Sequence, residues 1–110
     1  MEEMYFTIAG CNHYYGTEFM GKGMKVKLVK EPDNEYDKEA IQVKIKGLGK
    51  VGYVANSPYT VQGESMSAGR LYDKIGDKAK GRIVFVIGET AVCRITDDGM
   101  EKQVIEEAME

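Results

Sequence analysis

The chain has 110 residues, 43% of them hydrophobic and 30% charged, which suits one folded domain and excludes a disordered chain. No apolar run approaches the roughly 20 residues that cross a bilayer, so a membrane partner is not expected. The net charge is −3 and the chain starts with Met1-Glu2-Glu3-Met4, acidic where a signal peptide is basic, so we expect a cytoplasmic protein.

Four short strands are predicted in the first half of the chain. Tyr5–Gly10 is the first, and a glycine ends it. Met24–Val29 and Ile41–Lys46 alternate apolar with polar residues, which is typical of half-buried strands. These two flank a charged turn and are expected to pair, with lysine on their outward faces. Lys50–Val54 is the fourth strand, in which Gly52 permits close backbone approach.

The second half of the chain predicts two short helices and a hairpin. Ser57 followed by Pro58 is typical of a helix start, and that helix is expected to reach about Val61. Residues 67–75 predict a second helix that ends at Gly76. The most apolar run, residues 81–88, predicts a buried strand, with residues 90–95 as its hairpin partner.

Together these elements indicate a mainly β fold with short helices. Short strands, many glycines and few helices favour a small, partly closed, six-stranded antiparallel barrel over a parallel sheet. We expect residues 1–96 to form this barrel and residues 97–110 to form an acidic C-terminal tail or short helix.

Two loops carry candidate binding residues. The first, Asn12-His13-Tyr14-Tyr15, holds the single histidine and two adjacent tyrosines between glycines. Such aromatic side chains can stack on a nucleic-acid base or on a partner, because every base presents a π-face. The alternative is that one tyrosine covers the core and the other has no role. The second loop, residues 31–39, is either a binding loop or an ordinary acidic hairpin connection.

The charge is unevenly distributed along the chain. Residues 97–110 hold six acids and one base, which leaves 12 acids and 14 bases in residues 1–96. Lysines cluster in the first half, at positions 22, 25, 27, 30, 44, 46 and 50. They are either solvated strand faces or a patch that meets a phosphate backbone. The acidic tail can also occupy the basic face as an internal competitor, and deletion of residues 97–110 is then expected to strengthen DNA binding.

Catalysis is the weaker interpretation. The chain has one histidine, and no nucleophile motif surrounds it. Cys11 and Cys93 are far apart in no metal-ligand spacing, and we expect both to be small buried hydrophobic residues. We therefore expect no enzyme, no cofactor and no metal site.

The stretch from Leu28 to Val43 carries a family resemblance. It reads LVKEPDNEYDKEAIQV and is followed by KVGYV at residues 50–54. This combination resembles the HIRAN domain, whose pattern is approximately L-x-R/K-E/D-P-x-N-x-Y/H-D-x-x-A-I-x-V, then V-G-Y/H. The resemblance covers about residues 7–95. It implies an OB-like barrel that binds the 3′ end of single-stranded DNA and has no catalytic activity of its own.

The resemblance also implies site residues. The basic residue and two aromatics of the family pocket fall on Asn12, His13 and Tyr14, so Asn12 departs from the basic type. The carboxylate that takes the terminal hydroxyl falls on Asp37. An aromatic base-stacking position in the last hairpin has Val92 as its nearest counterpart. The remaining implied DNA-binding positions are Asp33, Asn34, Tyr36, Tyr53 and Asn56.

The implied partners are single-stranded DNA, DNA ends or damaged and stalled-fork DNA, together with a helicase or nuclease that supplies the motor or the chemistry. The alternative function is a protein-interaction module that binds a peptide by strand addition at the same tyrosine-rich groove. The two functions differ in their response to salt, because phosphate contacts weaken steeply as salt rises.

Overall fold

The computed structural model describes residues 3–100, which contain six antiparallel strands in a closed barrel. The strands are β1 (Tyr5–Ala9), β2 (Lys25–Lys30), β3 (Ile41–Ile45), β4 (Gly49–Val54), β5 (Lys78–Ile87) and β6 (Thr90–Asp97). Their order round the barrel is β1-β4-β3-β2-β5-β6, and β6 pairs with β1. The expected mainly β, six-stranded antiparallel barrel is confirmed, and its hydrogen-bonded ring is closed where we expected partial closure.

Alternation of apolar and polar residues builds the interior. Val26 and Leu28 of β2 are buried, while Lys25 and Lys27, which alternate with them, point outward and are exposed. Buried residues of the other strands, and Ala68 and Leu71 of the helix after β4, complete one core. Its largest buried side chains include Phe6, Ile8, Leu28, Ile41, Leu71, Ile75, Ile83 and Ile95. The barrel is therefore a packed scaffold with its chemistry on the rim and the outer face.

One predicted helix is present and the other prediction is wrong. The helix α1 (Ala68–Tyr72) begins after Ser67, whose hydroxyl accepts a hydrogen bond from the Arg70 amide. Residues 57–61 form only a single turn. Its continuation is broken because the Gln62 amide donates to Thr7 Oγ1 on β1, at 3.1 Å, rather than to a carbonyl four residues back.

The strand predicted over residues 81–88 is part of the longer β5, but its outer end is not buried. Phe85 is 49% exposed and Ile87 is 46% exposed. A shift in the β5–β6 register between Ile83 and Phe85 reverses the alternation, so Phe85 points outward.

The first residue of the acidic segment, residues 97–110, belongs to the last strand of the barrel. Asp97 is the last residue of β6, and the carbonyl of Asp98 accepts a hydrogen bond from the Gly76 amide at 2.7 Å. The remainder of the predicted tail or helix, residues 101–110, lies outside the described residues. Within residues 3–100 no helix has both the length and the apolar character to span a membrane.

Candidate functional site

The loop between β2 and β3 is built by its own side chains. The side-chain oxygen of Asn34 accepts hydrogen bonds from the amides of Tyr36 and Asp37, at 2.9 and 3.0 Å. The Glu31 amide donates to the carbonyl of Ala40 at 2.8 Å and closes the base of the loop. An asparagine that bonds the backbone two and three residues ahead replaces strand pairing with a defined turn. The acidic loop, residues 31–39, is therefore an ordered platform.

This platform holds the Asp37 carboxylate in place. One Asp37 oxygen accepts from the Glu39 amide at 2.9 Å, and the other accepts from Nδ2 of Asn56 at 3.1 Å. The amide oxygen of Asn56 accepts in turn from the Gly69 backbone at the start of α1, at 2.9 Å. Because the Gly69 amide fixes which end of Asn56 is the oxygen, the Asn56 amino group must face Asp37.

Asn56 belongs to a groove of about 540 Å³ on the surface, which we call the aromatic groove. Its lining residues are Ala9, Gly10, His13, Tyr14, Tyr53, Val54, Ala55, Asn56, Ser57 and Thr60.

The β1 end of the groove depends on a glycine in a left-handed conformation. Gly10 has φ of 70° and precedes the 3-10 turn Cys11–His13, which brings His13 and Tyr14 over the groove. Tyr14 is 40% exposed, whereas the hydroxyl of Tyr15 donates to the carbonyl of Leu48 and secures the loop to the β3–β4 turn. Of the two adjacent tyrosines, Tyr14 lines the groove and Tyr15 has a structural contact.

The β4 wall of the groove depends on Gly52. A Cβ at this position would lie 2.7 Å from the carbonyl oxygen of Ala9 and 2.7 Å from Cγ2 of Ile8, so no other residue fits without a shift of β1. The register between β3 and β4 also changes by one residue here, since Val43 faces Gly52 but Lys44 faces Lys50.

The extra residue in β4 brings two side chains to one face. In a regular strand, residues three apart point to opposite faces. Here the bulge leaves both Val51 and Gly52 buried, and Lys50 and Tyr53 lie on the same side. The Lys50 ammonium donates to the Tyr53 hydroxyl at 2.7 Å and lies 4.6 Å from the Tyr53 ring centroid. It also lies 6.0 Å from the ring centroid of Tyr14.

A carboxylate completes this cluster. Glu31 accepts hydrogen bonds from the Tyr53 hydroxyl at 2.8 Å and from Asn34 Nδ2 at 3.0 Å, and Lys50 is within 3.2 Å of its second oxygen. The acidic loop is therefore attached directly to the wall of the aromatic groove.

The contacts within this cluster shift the pKa values of Glu31, Lys50 and Tyr53. Burial by itself raises the pKa of Glu31, but hydrogen bonds from Asn34, Tyr53 and Lys50 outweigh it and the net pKa is lowered. The bond to the Tyr53 hydroxyl is the main cause that raises the pKa of Lys50, and burial is the main cause that raises the pKa of Tyr53. At neutral pH, Glu31 is a carboxylate, Lys50 is an ammonium and Tyr53 is a neutral phenol.

The structure brings together part of the predicted DNA-binding set. His13, Tyr14, Tyr53 and Asn56 line the aromatic groove, and Asp37 contacts Asn56. Asn34 does not line the groove, and its side chain instead bonds the backbone of the acidic loop. The other three predicted residues are exposed and are not among the residues that line the groove: Asn12, Asp33 and Tyr36, the last of which is 93% exposed.

Sequence reasoning missed Glu31 and Lys50 as members of the site. Lys50 was noted only as one of many lysines, and its link to Tyr53 depends on a bulge that leaves no clear sequence signal. The last hairpin adds another residue: Val92 is buried, and the exposed aromatic opposite it is Phe85. Phe85 lies beside Tyr5, Ile87 and Val92 in a second shallow hollow.

Both cysteines are buried and free, as expected. Burial is the main cause that raises the pKa of Cys11, and it raises that of Cys93 to about 12, so both are neutral thiols. In residues 3–100 no three His, Cys, Asp or Glu side chains are grouped so that they could hold a metal ion.

Comparison with known proteins now adds to this geometry. A family model described as the HIRAN domain matches residues 1–98. The crystal structure of the HIRAN domain of human HLTF is similar to this chain, with a TM-score of 0.63 and 22% sequence identity, covering 94% of this chain and 81% of that chain. At this identity the likeness establishes the fold alone. No curated protein sequence matches this chain.

Proposed function

The chain belongs to the HIRAN domain family, whose members are in general DNA-binding modules, and from this premise we propose that the aromatic groove binds the 3′ end of single-stranded DNA. The observation that carries the proposal is the fixed carboxylate of Asp37, hydrogen-bonded to Asn56 at the edge of a groove lined by aromatic rings.

The rings supply base stacking. The aromatic side chains of His13, Tyr14 and Tyr53 line one open groove, and Asn56 adds a polar group to the lining. Stacking of a base on an aromatic side chain contributes about 1–3 kcal/mol and tolerates any sequence. The Lys50 ammonium against the Tyr53 ring keeps a positive charge beside the groove without filling it. This arrangement suits one or two unpaired bases.

Asp37 supplies the recognition of the end. A carboxylate has about four acceptor positions, and the Glu39 amide and Asn56 use one on each oxygen. The remaining positions can accept a hydrogen bond from a sugar hydroxyl. The 3′ hydroxyl is a donor that the interior backbone of a DNA strand lacks, and a 3′ phosphate in its place would be repelled by the carboxylate.

The charge around Asp37 favours one polarity of binding. The acidic loop contains Glu31, Asp33, Glu35, Asp37 and Glu39 with Lys38 as its single base. A strand that continued past Asp37 would bring phosphates towards these carboxylates. A strand that ends there keeps its phosphates away from the exposed Asp33, Glu35 and Glu39, and its backbone leaves past Lys50, where Glu31 is already neutralised by the ion pair.

The test is the binding of the whole protein to short single-stranded DNA that ends in either a 3′ hydroxyl or a 3′ phosphate, measured by fluorescence anisotropy. Wild type is expected to prefer the hydroxyl. Asp37→Asn keeps the size of the side chain but removes the charge, and a hydrogen bond to a charged group contributes about 1.5–3 kcal/mol. We therefore expect binding of the hydroxyl end to weaken by at least about tenfold.

Asp33→Asn is the matched control, because Asp33 lies in the same loop with an exposed side chain, and it is expected to bind like wild type. Equal affinity of wild type for both ends would reduce the function to nonspecific backbone contact. Absence of binding at low salt would leave the relationship to the family as one of fold.

The structure does not favour the alternative of peptide binding by strand addition. Each of the six strands has two neighbours in the closed ring. Where β1 is not paired with β4, the amides of Ala55 and Met66 donate to the carbonyls of Thr7 and Tyr5. Strand addition needs an unpaired edge. We propose instead that the module binds DNA without chemistry of its own and acts beside a helicase or nuclease partner.

A further inference from the structure

A row of four lysines crosses the outside of the barrel, from the aromatic groove to the opposite side. Lys50 on β4 faces Lys44 on β3, Lys44 faces Lys27 on β2, and Lys27 faces Lys80 on β5. Neighbouring strands are about 4.8 Å apart, so the four backbone positions span roughly 14 Å. We call this set the lysine row.

The row points away from the core. Val26 and Leu28, the neighbours of Lys27, are fully buried, and Lys27 and Lys80 themselves are exposed. A second set of cations lies two residues further along the strands, where Lys25 faces Arg82 and Arg82 faces Arg94. Between β2 and β5 the two sets border a shallow hollow of about 320 Å³.

The two central lysines of the row, Lys44 and Lys27, have no ion-pair partner within residues 3–100. Within residues 3–100 the one ion pair is between Lys50 and Glu31. Asp97 faces Lys80 at the far end of the row, and no acid lies between Lys44 and Lys80. Like charges directly opposite each other destabilise a sheet. A series of phosphates along the row would remove that repulsion and release the counterions of the phosphates.

The row is continuous with the aromatic groove. The Lys50 ammonium lies 4.6 Å from the ring centroid of Tyr53 and 6.0 Å from that of Tyr14, and both rings line the groove. The acidic loop borders the groove through Asp37. Its Glu31 is already ion-paired with Lys50, so the side that leads on to Lys44 and Lys27 is the electrostatically favoured exit.

We propose that the lysine row is a track for the phosphodiester backbone of the DNA strand whose 3′ end lies in the aromatic groove. This proposal rests on the proposed function and adds a second, backbone-binding surface that makes affinity depend on strand length. A strand that occupies only the groove meets Lys50, whereas a longer strand also meets Lys44, Lys27 and Lys80.

The experiment compares two oligothymidylates with free 3′ hydroxyls, of about 4 and about 16 nucleotides, the range of site sizes for single OB folds. The variant is Lys27→Gln with Lys44→Gln, which leaves the groove residues intact. The control is Lys22→Gln with Lys74→Gln, which removes the same charge from exposed loop positions outside the row. Anisotropy titrations over a range of salt concentrations give the affinity and its salt slope.

The double variant in the row is expected to bind the long strand about tenfold more weakly at low salt, and its salt slope should fall by about 1.4, or 0.7 per lysine. The short strand should bind like wild type, and the control variant should bind both strands like wild type. An equal loss for both lengths, or no loss for either, overturns the track.

The same titrations with 3′-phosphate ends separate the two proposals. If wild type does not distinguish the ends but the long strand still depends on Lys27 and Lys44, the end recognition is wrong and backbone binding by the row is supported. If the ends are distinguished without any dependence on these lysines, the track is wrong and the end recognition is supported. A wild type that binds neither strand overturns both.

Discussion

The two sides of the barrel use lysine in different ways. On the groove side, the Lys50 ammonium contacts the Tyr53 hydroxyl and Glu31, and these two contacts fix its position. On the outer face, Lys27 is exposed and faces a lysine on each neighbouring strand. A positioned charge can distinguish one chemical group from another, whereas a row of free charges gives attraction that does not depend on sequence. In our proposal the groove side therefore recognises the strand end, and the outer face holds the rest of the strand.

The largest expected effect on stability comes from a substitution of Gly52 in the β4 wall of the aromatic groove. Gly52→Ala places a Cβ against the carbonyl of Ala9 and the side chain of Ile8. Overpacking of this kind destabilises a protein by about 1–3 kcal/mol, which urea unfolding measures. Because the β4 wall of the aromatic groove lies against β1 at Gly52, loss of the hydroxyl-end preference should accompany the lower stability.

Gly21→Ala is the matched control for this prediction. A Cβ at Gly21 meets nothing within 4 Å, and the backbone there does not require glycine. Its stability should stay the same or rise by about 0.4–1 kcal/mol. Equal stabilities of the two variants would contradict the close approach of β1 and β4.

The second prediction concerns the Glu31 cluster and pH. The pKa of Glu31 is lowered in the folded protein, so its contribution is present above the unfolded value of about 4.3 and is lost as pH falls through the folded value. Glu31→Gln is expected to lower the free energy of unfolding by about 1 kcal/mol at pH 7. The difference from wild type should shrink as pH falls below the unfolded value and through the folded value, as chemical unfolding across the acid range would show.

Glu35→Gln is the control, since Glu35 is an exposed acid in the same loop. If the two variants lose stability equally at every pH, the loop charge as a whole matters and the cluster with Lys50 and Tyr53 does not.

The contribution of Lys50 to stability has the opposite dependence on pH, and it changes in the alkaline range. Its pKa is raised in the folded protein, so its contribution is present below the unfolded value of about 10.4 and is lost as pH rises through the folded value.

The smallest expected effect concerns the outer face and the acidic segment. If that segment competes with DNA for the basic face, its removal strengthens binding of the long strand at low salt. We expect a gain of about threefold, which is smaller than the effect of the two lysines of the row. The truncation should start at residue 101 rather than 97, because Asp97 belongs to β6 and the Asp98 carbonyl holds Gly76. Anisotropy at two salt concentrations measures it, and unchanged affinity at low salt would exclude competition.

Much of the scaffold could be predicted from the sequence. The alternation of Lys25, Val26, Lys27 and Leu28 determines which face of β2 is buried, because a strand has a period of two. The helix predicted over residues 67–75 and the hairpin of residues 81–88 with 90–95 follow from local signals of the same kind. The helix expected after Ser57 failed because Thr7, fifty residues away in sequence, bonds the Gln62 amide and ends the turn.

The candidate site was predictable only in part. Asp37 and Asn34 follow from a motif with local turn chemistry, and their side chains do bond the neighbouring backbone. The functional neighbours Glu31 and Lys50 were not found, because they meet through the partner strands of the barrel rather than through spacing in the chain.

The sequence by itself determined the strands, the buried face of β2 and the turn chemistry of the acidic loop, since each depends on interactions between residues close in the chain. Tertiary structure alone decided that the ring closes and that Lys50 shares a face with Tyr53. It also decided that Lys44, Lys27 and Lys80 form one row with Lys50. The physical reason is register: a single bulge in β4 changes which residues face each other, and that offset depends on how distant strands pack around the core.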